Sequence, residues 1–247
     1  MILEVNKMYK EYEGSEILKD VHLQLQEGEF VAVMGQSGCG KSTLLYCVSG
    51  MDRPTKGEVM FDGKKMSGLS EKEIERFRLT KMGFIFQRPN FLKNLSVQDN
   101  IMFPALQTKH TLSKREIQRE AEKLMEKMDI LHVAGHDIRK VSGGQLQRAA
   151  ICRALINHPE IVFGDEPTGA LNSSATREVM DILNRINQEG TAILLVTHDG
   201  KVAARADRVI YLEDGCVKAE LKLGRYSEDA LNEREERLKQ WLERMGF

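Results

Sequence analysis

A chain of 247 residues that is 41% hydrophobic and 30% charged is long enough to bury a full core, as one large domain or as one domain with lobes. Its formal net charge of −1 offers no general attraction to nucleic acid or anionic lipid. No apolar run approaches the roughly 20 residues that span a bilayer, and Met1–Val5 lacks the basic flank and long apolar core of a signal peptide, so a cytosolic chain that reaches a membrane only through a partner is expected.

To about Gly28 apolar and polar residues alternate, as in Val21-His22-Leu23-Gln24-Leu25, which predicts half-buried antiparallel strand. Phe30-Val31-Ala32-Val33-Met34 is nearly continuous in apolar residues and predicts a strand covered on both faces. It runs straight into a glycine-rich loop and a helix that begins near Lys41. Gly57–Gly63 reads as a short strand ending in a turn. Ser70-Glu71-Lys72-Glu73 and Ser113-Lys114-Arg115-Glu116 both have the spacing of a helix capping box. After the second, Ile117, Ala121, Leu124, Met125 and Met128 recur at helical spacing, so the span from about Pro89 to Lys140 is expected to be a mainly helical insertion. Apolar strands return at Ile161–Phe163, Ala192–Val196 and Val209–Leu212, with a helix over about Ser173–Gln188 between the first two. This alternation predicts an α/β fold with a mostly parallel sheet covered on both faces. From about Arg225 the chain is dense in charge around Leu231, Leu238, Trp241 and Leu242, the pattern of an amphipathic helical tail (225–247) docked on a single domain over residues 1–224.

Gly35-Gln36-Ser37-Gly38-Cys39-Gly40-Lys41-Ser42-Thr43 matches Gly-x-x-x-x-Gly-Lys-Ser, with a buried strand before it and a helix after it. In that context backbone amides of the loop would surround a β-phosphate, Lys41 would reach the β- and γ-oxygens, and Ser42 would ligate Mg²⁺. A ligand-free glycine-rich turn is the bland alternative, and the strand–loop–helix setting counts against it. Cys39 lies near a positive helix end, which is expected to lower its thiol pKa and let alkylation block nucleotide binding; a small filler residue is the competing reading. The other cysteines, Cys47, Cys152 and Cys216, are scattered and form no C-x-x-C pair, so neither a metal nor a disulfide is expected.

Ile161-Val162-Phe163-Gly164-Asp165-Glu166 ends an apolar strand with two adjacent carboxylates. Ligands of open parallel sheets bind at the carboxyl ends of strands, where Asp165 would hold Mg²⁺ through a water and Glu166 would take the proton of an attacking water. An acidic surface turn is the alternative. Val141-Ser142-Gly143-Gly144-Gln145 looks like a second phosphate-seeking element: Ser142 can cap a helix, two glycines let backbone amides approach closely, and Gln145 completes a capping box. Two such elements in one chain suggest that each serves a different nucleotide, shared between two copies in an ATP-driven dimer. Gln87, after Phe84-Ile85-Phe86, and His198, after the strand ending at Val196, are weaker on their own, and a lone histidine is commonly structural.

Together these residues resemble the nucleotide-binding subunit of an ABC transporter over almost the whole chain. The resemblance implies a P-loop NTPase (RecA-like) sheet with an antiparallel β lobe from the early strands and an α-helical lobe over about 89–140, with ATP and Mg²⁺ as cofactors. It implies that Gly35–Ser42 is the Walker A loop and that Gln87 is the Q-loop glutamine, which touches Mg²⁺ and the attacking water. Ser142–Gln145 would be the signature contacting the γ-phosphate held by the other subunit. Ile161–Asp165 with Glu166 would be Walker B and its catalytic base, and His198 the switch histidine on the γ-phosphate. Tyr12 aligns best with the aromatic that stacks on adenine, with Tyr9 as runner-up. Closer still, Gly164–Asn172 and Met82–Gln87 resemble the subfamily of macrolide exporters, lipoprotein-release systems and antimicrobial-peptide resistance systems.

In that subfamily the ATPase is a separate chain paired with a permease, so a homodimer at the inner membrane face is implied, with a sensor kinase reachable through the permease. Phe91, Leu92 and Leu95 beside Gln87 would then receive a coupling helix of the permease, or else belong to the core. Three residues depart from the usual pattern: Val141 replaces Leu, Cys152 stands where Ala is usual, and Asn172 replaces an Asp. One rival reading is a mechanical signalling ATPase that works a permease-like partner without moving solute. A soluble relative acting on ribosomes or DNA fits less well, because the chain carries one cassette, a short insertion without a cysteine cluster and near-neutral charge.

Overall fold

Short apolar runs set the frame of the computed structural model, which describes residues 1–108 and 112–246. In chain order the first elements are β1 (Leu3–Tyr12), β2 (Ser15–Leu25), β3 (Phe30–Met34), α1 (Lys41–Val48), β4 (Lys56–Phe61), β5 (Lys64–Lys65), α2 (Glu71–Lys81), β6 (Met82–Phe86) and α3 (Val97–Gln107). There follow α4 (Lys114–Lys127), α5 (Gly143–Leu155), β7 (Ile161–Asp165), α6 (Ser173–Gln188), β8 (Ala192–Val196), α7 (Gly200–Ala203), β9 (Arg208–Glu213), β10 (Cys216–Lys222) and α8 (Leu231–Arg244). Contacts group the chain into two units, Met1–Ser70 with Asn184–Phe247, and Glu71–Leu183.

In the first unit the alternating opening segment is a hairpin rather than a single strand. β1 and β2 pair antiparallel across Glu13 and Gly14, whose backbones are left-handed at φ 48° and 83°. Leu3, Val5 and Met8 of β1 and Leu18, Val21, Leu23 and Leu25 of β2 are buried on the covered face; the period is two except at the steps to Met8 and from Leu18, where the pairing register shifts. β4 adds to the other side of β1, giving an antiparallel sheet in the order β2-β1-β4-β5. All five residues of β3 are buried because the strand is central: it runs parallel to both β8 and β9, and β10 closes antiparallel on β9. The order β10-β9-β3-β8 puts the carboxyl ends of β3 and β8 side by side, with Val33 opposite Val196.

The C-terminal helix α8 packs within this unit through one face. Leu238 and Leu242, four apart and at most 6% exposed, each contribute about 2 kcal/mol by burial. Trp241 meets the ring of Tyr211 edge-on at 6.2 Å. Arg234 is only 4% exposed, a position that would be costly for an unpaired cation. It donates hydrogen bonds to the carbonyls of Ala204, Ala206, Leu223, Gly224 and Arg225 at 2.6–3.3 Å, so the guanidinium ties the turn after α7 to the segment after β10.

In the second unit β6 and β7 pair in parallel, from Met82 opposite Ile161 to Phe86 opposite Asp165. Phe84 stacks on Phe163 at 5.5 Å. Helix α5 lies close on β6: a Cβ at Gly83 would stand 2.6 Å from the carbonyl oxygen of Ala154, so only glycine allows that approach. α4 buries Ile117, Ala121, Leu124 and Met125, one stripe at helical spacing. Its start is fixed by Ser113 and Glu116, each side chain bonding the other's backbone amide. From Pro89 to Lys140 the described residues form helices and turns with one isolated bridge, Ser96 to Asp137, and residues 109–111 of that span lie outside the described residues.

Candidate active site

The glycine-rich loop leaves β3 at Met34 and enters α1 at Lys41. Two contacts explain its composition. A Cβ at Gly35 would lie 2.1 Å from the carbonyl oxygen of Leu212, so the loop rests directly on the β9 backbone. Gly40 is left-handed at φ 103°, with a Cβ position 3.0 Å from the Ile17 carbonyl oxygen. Gly40 makes no side-chain cap, and the first turn of α1 carries no acidic residue to oppose the helix dipole. Lys41 is 8% exposed and donates to the carbonyls of Gly35 at 2.9 Å and Gln36 at 2.7 Å, which holds its ammonium inside the loop. Gln36, Ser37, Gly38 and Ser42 are exposed around it, and Thr43 is half-buried. A buried ammonium inside a glycine-rich loop that opens a helix is suited to hold an anion.

Cys39 does not have the lowered pKa expected from its place in the loop. Burial pushes the thiol up, and this outweighs the opposing effect of the Lys41 ammonium, 3.8 Å from the sulfur. The reacting species is the thiolate, so a raised pKa means slow reaction at neutral pH. Iodoacetamide at pH 7.5 should therefore modify Cys39 more slowly than a thiol in an unfolded peptide, with a steep rise above pH 9. Mass-spectrometric labelling rates check this, and labelling at the free-thiol rate would contradict it.

Tyr12 ends β1 with 44% of its surface exposed. Its hydroxyl hydrogen-bonds Asp52, and the Lys10 ammonium lies 4.5 Å from the ring centroid while donating to Asp52 and the Arg53 carbonyl, both at 2.8 Å. The bond to Asp52, with burial adding to it, pushes the Tyr12 phenol up to about 12, so the ring is neutral and fixed in orientation. Tyr9 is half-buried and sits opposite Lys56 in the β1–β4 ladder. A fixed, exposed ring is the better stacking platform.

His198 is exposed on the turn after β8, beside the strand end from which the glycine loop departs. The turn is pinned on both sides. The Thr197 amide donates to the Val33 carbonyl at 3.1 Å, the Asp199 amide to the Thr197 hydroxyl at 3.0 Å, and Asp199 caps α7 through the Lys201 amide at 2.8 Å.

In the second unit Gln87 and Glu166 each follow directly on the paired residues Phe86 and Asp165. Their side chains converge: a Cβ at Gly169 would stand 2.7 Å from Gln87 Nε2 and 3.3 Å from Glu166 Oε2. Glu166 has a left-handed backbone at φ 48°, a conformation that costs a non-glycine residue on the order of 1 kcal/mol and redirects its side chain. Asp165, half-buried at the end of β7, presents carboxylate oxygens, and Gln87 an amide oxygen. Such hard donors suit Mg²⁺, which takes only a few protein ligands beside phosphate oxygens. Among the described residues there is no group of three or more His, Cys, Asp or Glu that could hold a metal ion.

Ser142 caps α5: the Gln145 amide donates to Ser142 Oγ at 3.3 Å and the Ser142 amide to Gln145 Oε1 at 3.0 Å. Ser142 and Gly143 are exposed. A Cβ at Gly143 would meet only Leu171 Cδ2, at 4.0 Å, and one at Gly144 only Ala175 Cβ, at 3.5 Å. Intrachain packing therefore does not demand glycine at either position. Asn172 accepts the Ala175 amide at 2.9 Å at the start of α6, a capping role that Asp would fill equally well. Gly169, Asp52, Gln147 and Arg153 are the neighbours of these residues that sequence pattern alone passes over. Of them only Gln147 carries a sequence signal, a polar residue on the apolar face of its helix.

Residues 18–169 match the family described as ABC transporter. The macrolide export ATP-binding/permease protein MacB of Campylobacter jejuni is 43% identical over 206 residues, 83% of this chain and 32% of the exporter, so the chain spans about a third of that relative. The lipoprotein-releasing system ATP-binding protein LolD of Leptospira interrogans is 44% identical over 216 residues, 87% of this chain and 90% of LolD. Among solved structures, the dimeric post-hydrolysis state of the ATP-binding cassette MJ0796 bound to ADP and Pi superposes with a TM-score of 0.84 at 37% identity, covering 91% of this chain and all of that one. Its source is Methanocaldococcus jannaschii.

Proposed function

The chain belongs to the ABC transporter family as an ATP-binding and ATP-hydrolysing subunit, and from that premise we propose how its residues divide the work. Two copies close head to tail on ATP and reopen after hydrolysis, and that cycle drives a separate membrane permease. Each ATP lies between the loop Gly35–Thr43 of one copy and Ser142, Gly143, Gly144 and Gln145 of the other. The observation that carries this reading is the exposed start of α5, where two glycines have no packing partner in their own chain that requires them. Amides left bare at a capped helix start fit a phosphate arriving from outside.

Within one site Tyr12 stacks on adenine and Lys41 neutralises the β- and γ-phosphates. Ser42, Gln87 and Asp165 hold Mg²⁺, which when bound neutralises phosphate charge. Glu166 takes the proton of the attacking water, oriented by Gln87, and His198 contacts the γ-phosphate. Because phosphoryl transfer rests mainly on positioning and charge stabilisation, each part contributes a bounded factor.

Residues 1–224 form one ATPase domain with 89–140 as an inserted helical lobe, and 225–247 are its tail. The chain takes a peripheral place on the cytoplasmic face of the membrane, held there by the permease; among the described residues no helix is long and apolar enough to cross a membrane. Leu92, 47% exposed, with half-buried Phe91 and Leu95, offers the apolar surface for a coupling helix. The names of two relatives, a macrolide exporter and a lipoprotein-releasing system, support export or extraction of drugs or lipoproteins by that permease; we extend this to peptides and to a sensor kinase reached through the permease. Nucleic acid is not a partner of a chain with net charge −1. Turnover per molecule should rise with enzyme concentration below the dimer dissociation constant; a rate per molecule constant down to verified monomer would refute the shared site.

A further inference from the structure

Helix α5 grips both flanks of Gln87. Gln147, 1% exposed, donates from Nε2 to the Phe86 carbonyl at 3.1 Å. Six residues further along the same helix, Arg153 donates to the Pro89 carbonyl at 2.5 Å and to the Asn90 carbonyl at 3.4 Å. Its guanidinium also lies 4.6 Å from the Phe91 ring centroid. A buried amide and a half-buried guanidinium are costly unless bonded, so these contacts hold their partners in place. Burial pushes Arg153 down to about 10, which leaves it charged at neutral pH. The backbone approach of Gly83 to Ala154 fixes β6, the strand leading into Gln87, against the same helix. The other end of α5 carries Ser142–Gln145.

We propose that Gln147 and Arg153 are positioning residues that clamp the segment around Gln87 to α5 and so fix where the Gln87 side chain stands. This rests on the reading of Gln87 as the residue that orients the attacking water.

The test uses the full chain with Arg153→Lys, Gln147→Met and Gln87→Ala, singly and in pairs. Lys keeps the charge but lacks the planar guanidinium that spans both carbonyls and stacks on Phe91, and Met keeps the volume of Gln but donates nothing. Hydrogen exchange of the amides from Gln87 to Leu92 should speed up in both clamp variants while those of α4 stay protected. Turnover at saturating ATP should fall roughly 10- to 100-fold with KM for ATP nearly unchanged, the mark of a misplaced rather than a missing group. In the Gln87→Ala background the clamp variants should cost nothing further, because they act through that side chain. Unchanged exchange at 87–92, or losses that simply add to those of Gln87→Ala, would overturn the clamp. If Gln87→Ala alone leaves turnover intact, the role given to Gln87 fails, and exchange at 87–92 still decides whether α5 holds the segment. If Arg153→Lys does not fold, Gln147→Met carries the same comparisons.

Discussion

Glu166→Gln is expected to bind ATP nearly as the parent does, to hydrolyse it about 10²–10⁴-fold more slowly, and to accumulate as a closed dimer. The substitution keeps the shape of the side chain and the backbone bond from the Gly169 amide to the Glu166 carbonyl at 3.0 Å. What it removes is the ability to take a proton, beside Gln87 and at the end of β7. That factor corresponds to about 3–5 kcal/mol of barrier, the range of one general base. Size-exclusion chromatography with ATP, next to a phosphate-release assay, separates the two halves of the expectation. A variant that hydrolyses at the parental rate would remove Glu166 from the reaction, and one that stays monomeric with ATP would remove the link between hydrolysis and opening.

Lys41→Ala should fail earlier in the cycle. The ammonium is the one charge held inside the glycine loop, fixed by the carbonyls of Gly35 and Gln36. Without it the cradle keeps its amides but loses its cation, so nucleotide affinity should fall at least tenfold and hydrolysis by roughly 10²–10³-fold. The unfolding midpoint without nucleotide should hardly change, because water can reach the exposed loop and solvate the two carbonyls. Binding of a fluorescent ATP analogue and a thermal melt check both. Unchanged nucleotide affinity would mean that the loop binds by its amides alone.

The features legible in the sequence are those set by local chemistry. Ser113 with Glu116, and Ser142 with Gln145, specify their helix starts within four residues, and both pairs close in the structure as the spacing predicts. Phe30–Met34 and Ala192–Val196 read as buried strands because a central parallel strand must be apolar on both faces. Helix α6 runs from Ser173 to Gln188, where its pattern begins and ends. Edges and partners were harder to read. β10 carries Lys218, Glu220 and Lys222 on an edge, where a strand needs few apolar residues, and its pattern gives little sign of it. α3 contains Pro104 and lacks a strong apolar stripe. The Cys39 thiol follows its burial rather than the helix end beside it, a balance that only packing decides. Gln147 and Arg153 matter through carbonyls more than sixty residues away in sequence. Long-range backbone acceptors leave no mark on a pattern.

Mixing two dead variants tests most directly whether each reaction centre is built from two copies. Lys41→Ala should spoil the loop of its own copy, and Ser142→Arg should spoil the helix start offered to the other copy's ATP. In a mixed pair one centre receives both lesions and the other receives neither. Equal mixing should therefore restore about a quarter of the parental rate, the statistical share of intact centres. Restored turnover near that level is the expected result; a mixture as inactive as its components, with mixed dimers demonstrated by a tag on one of them, would contradict the account.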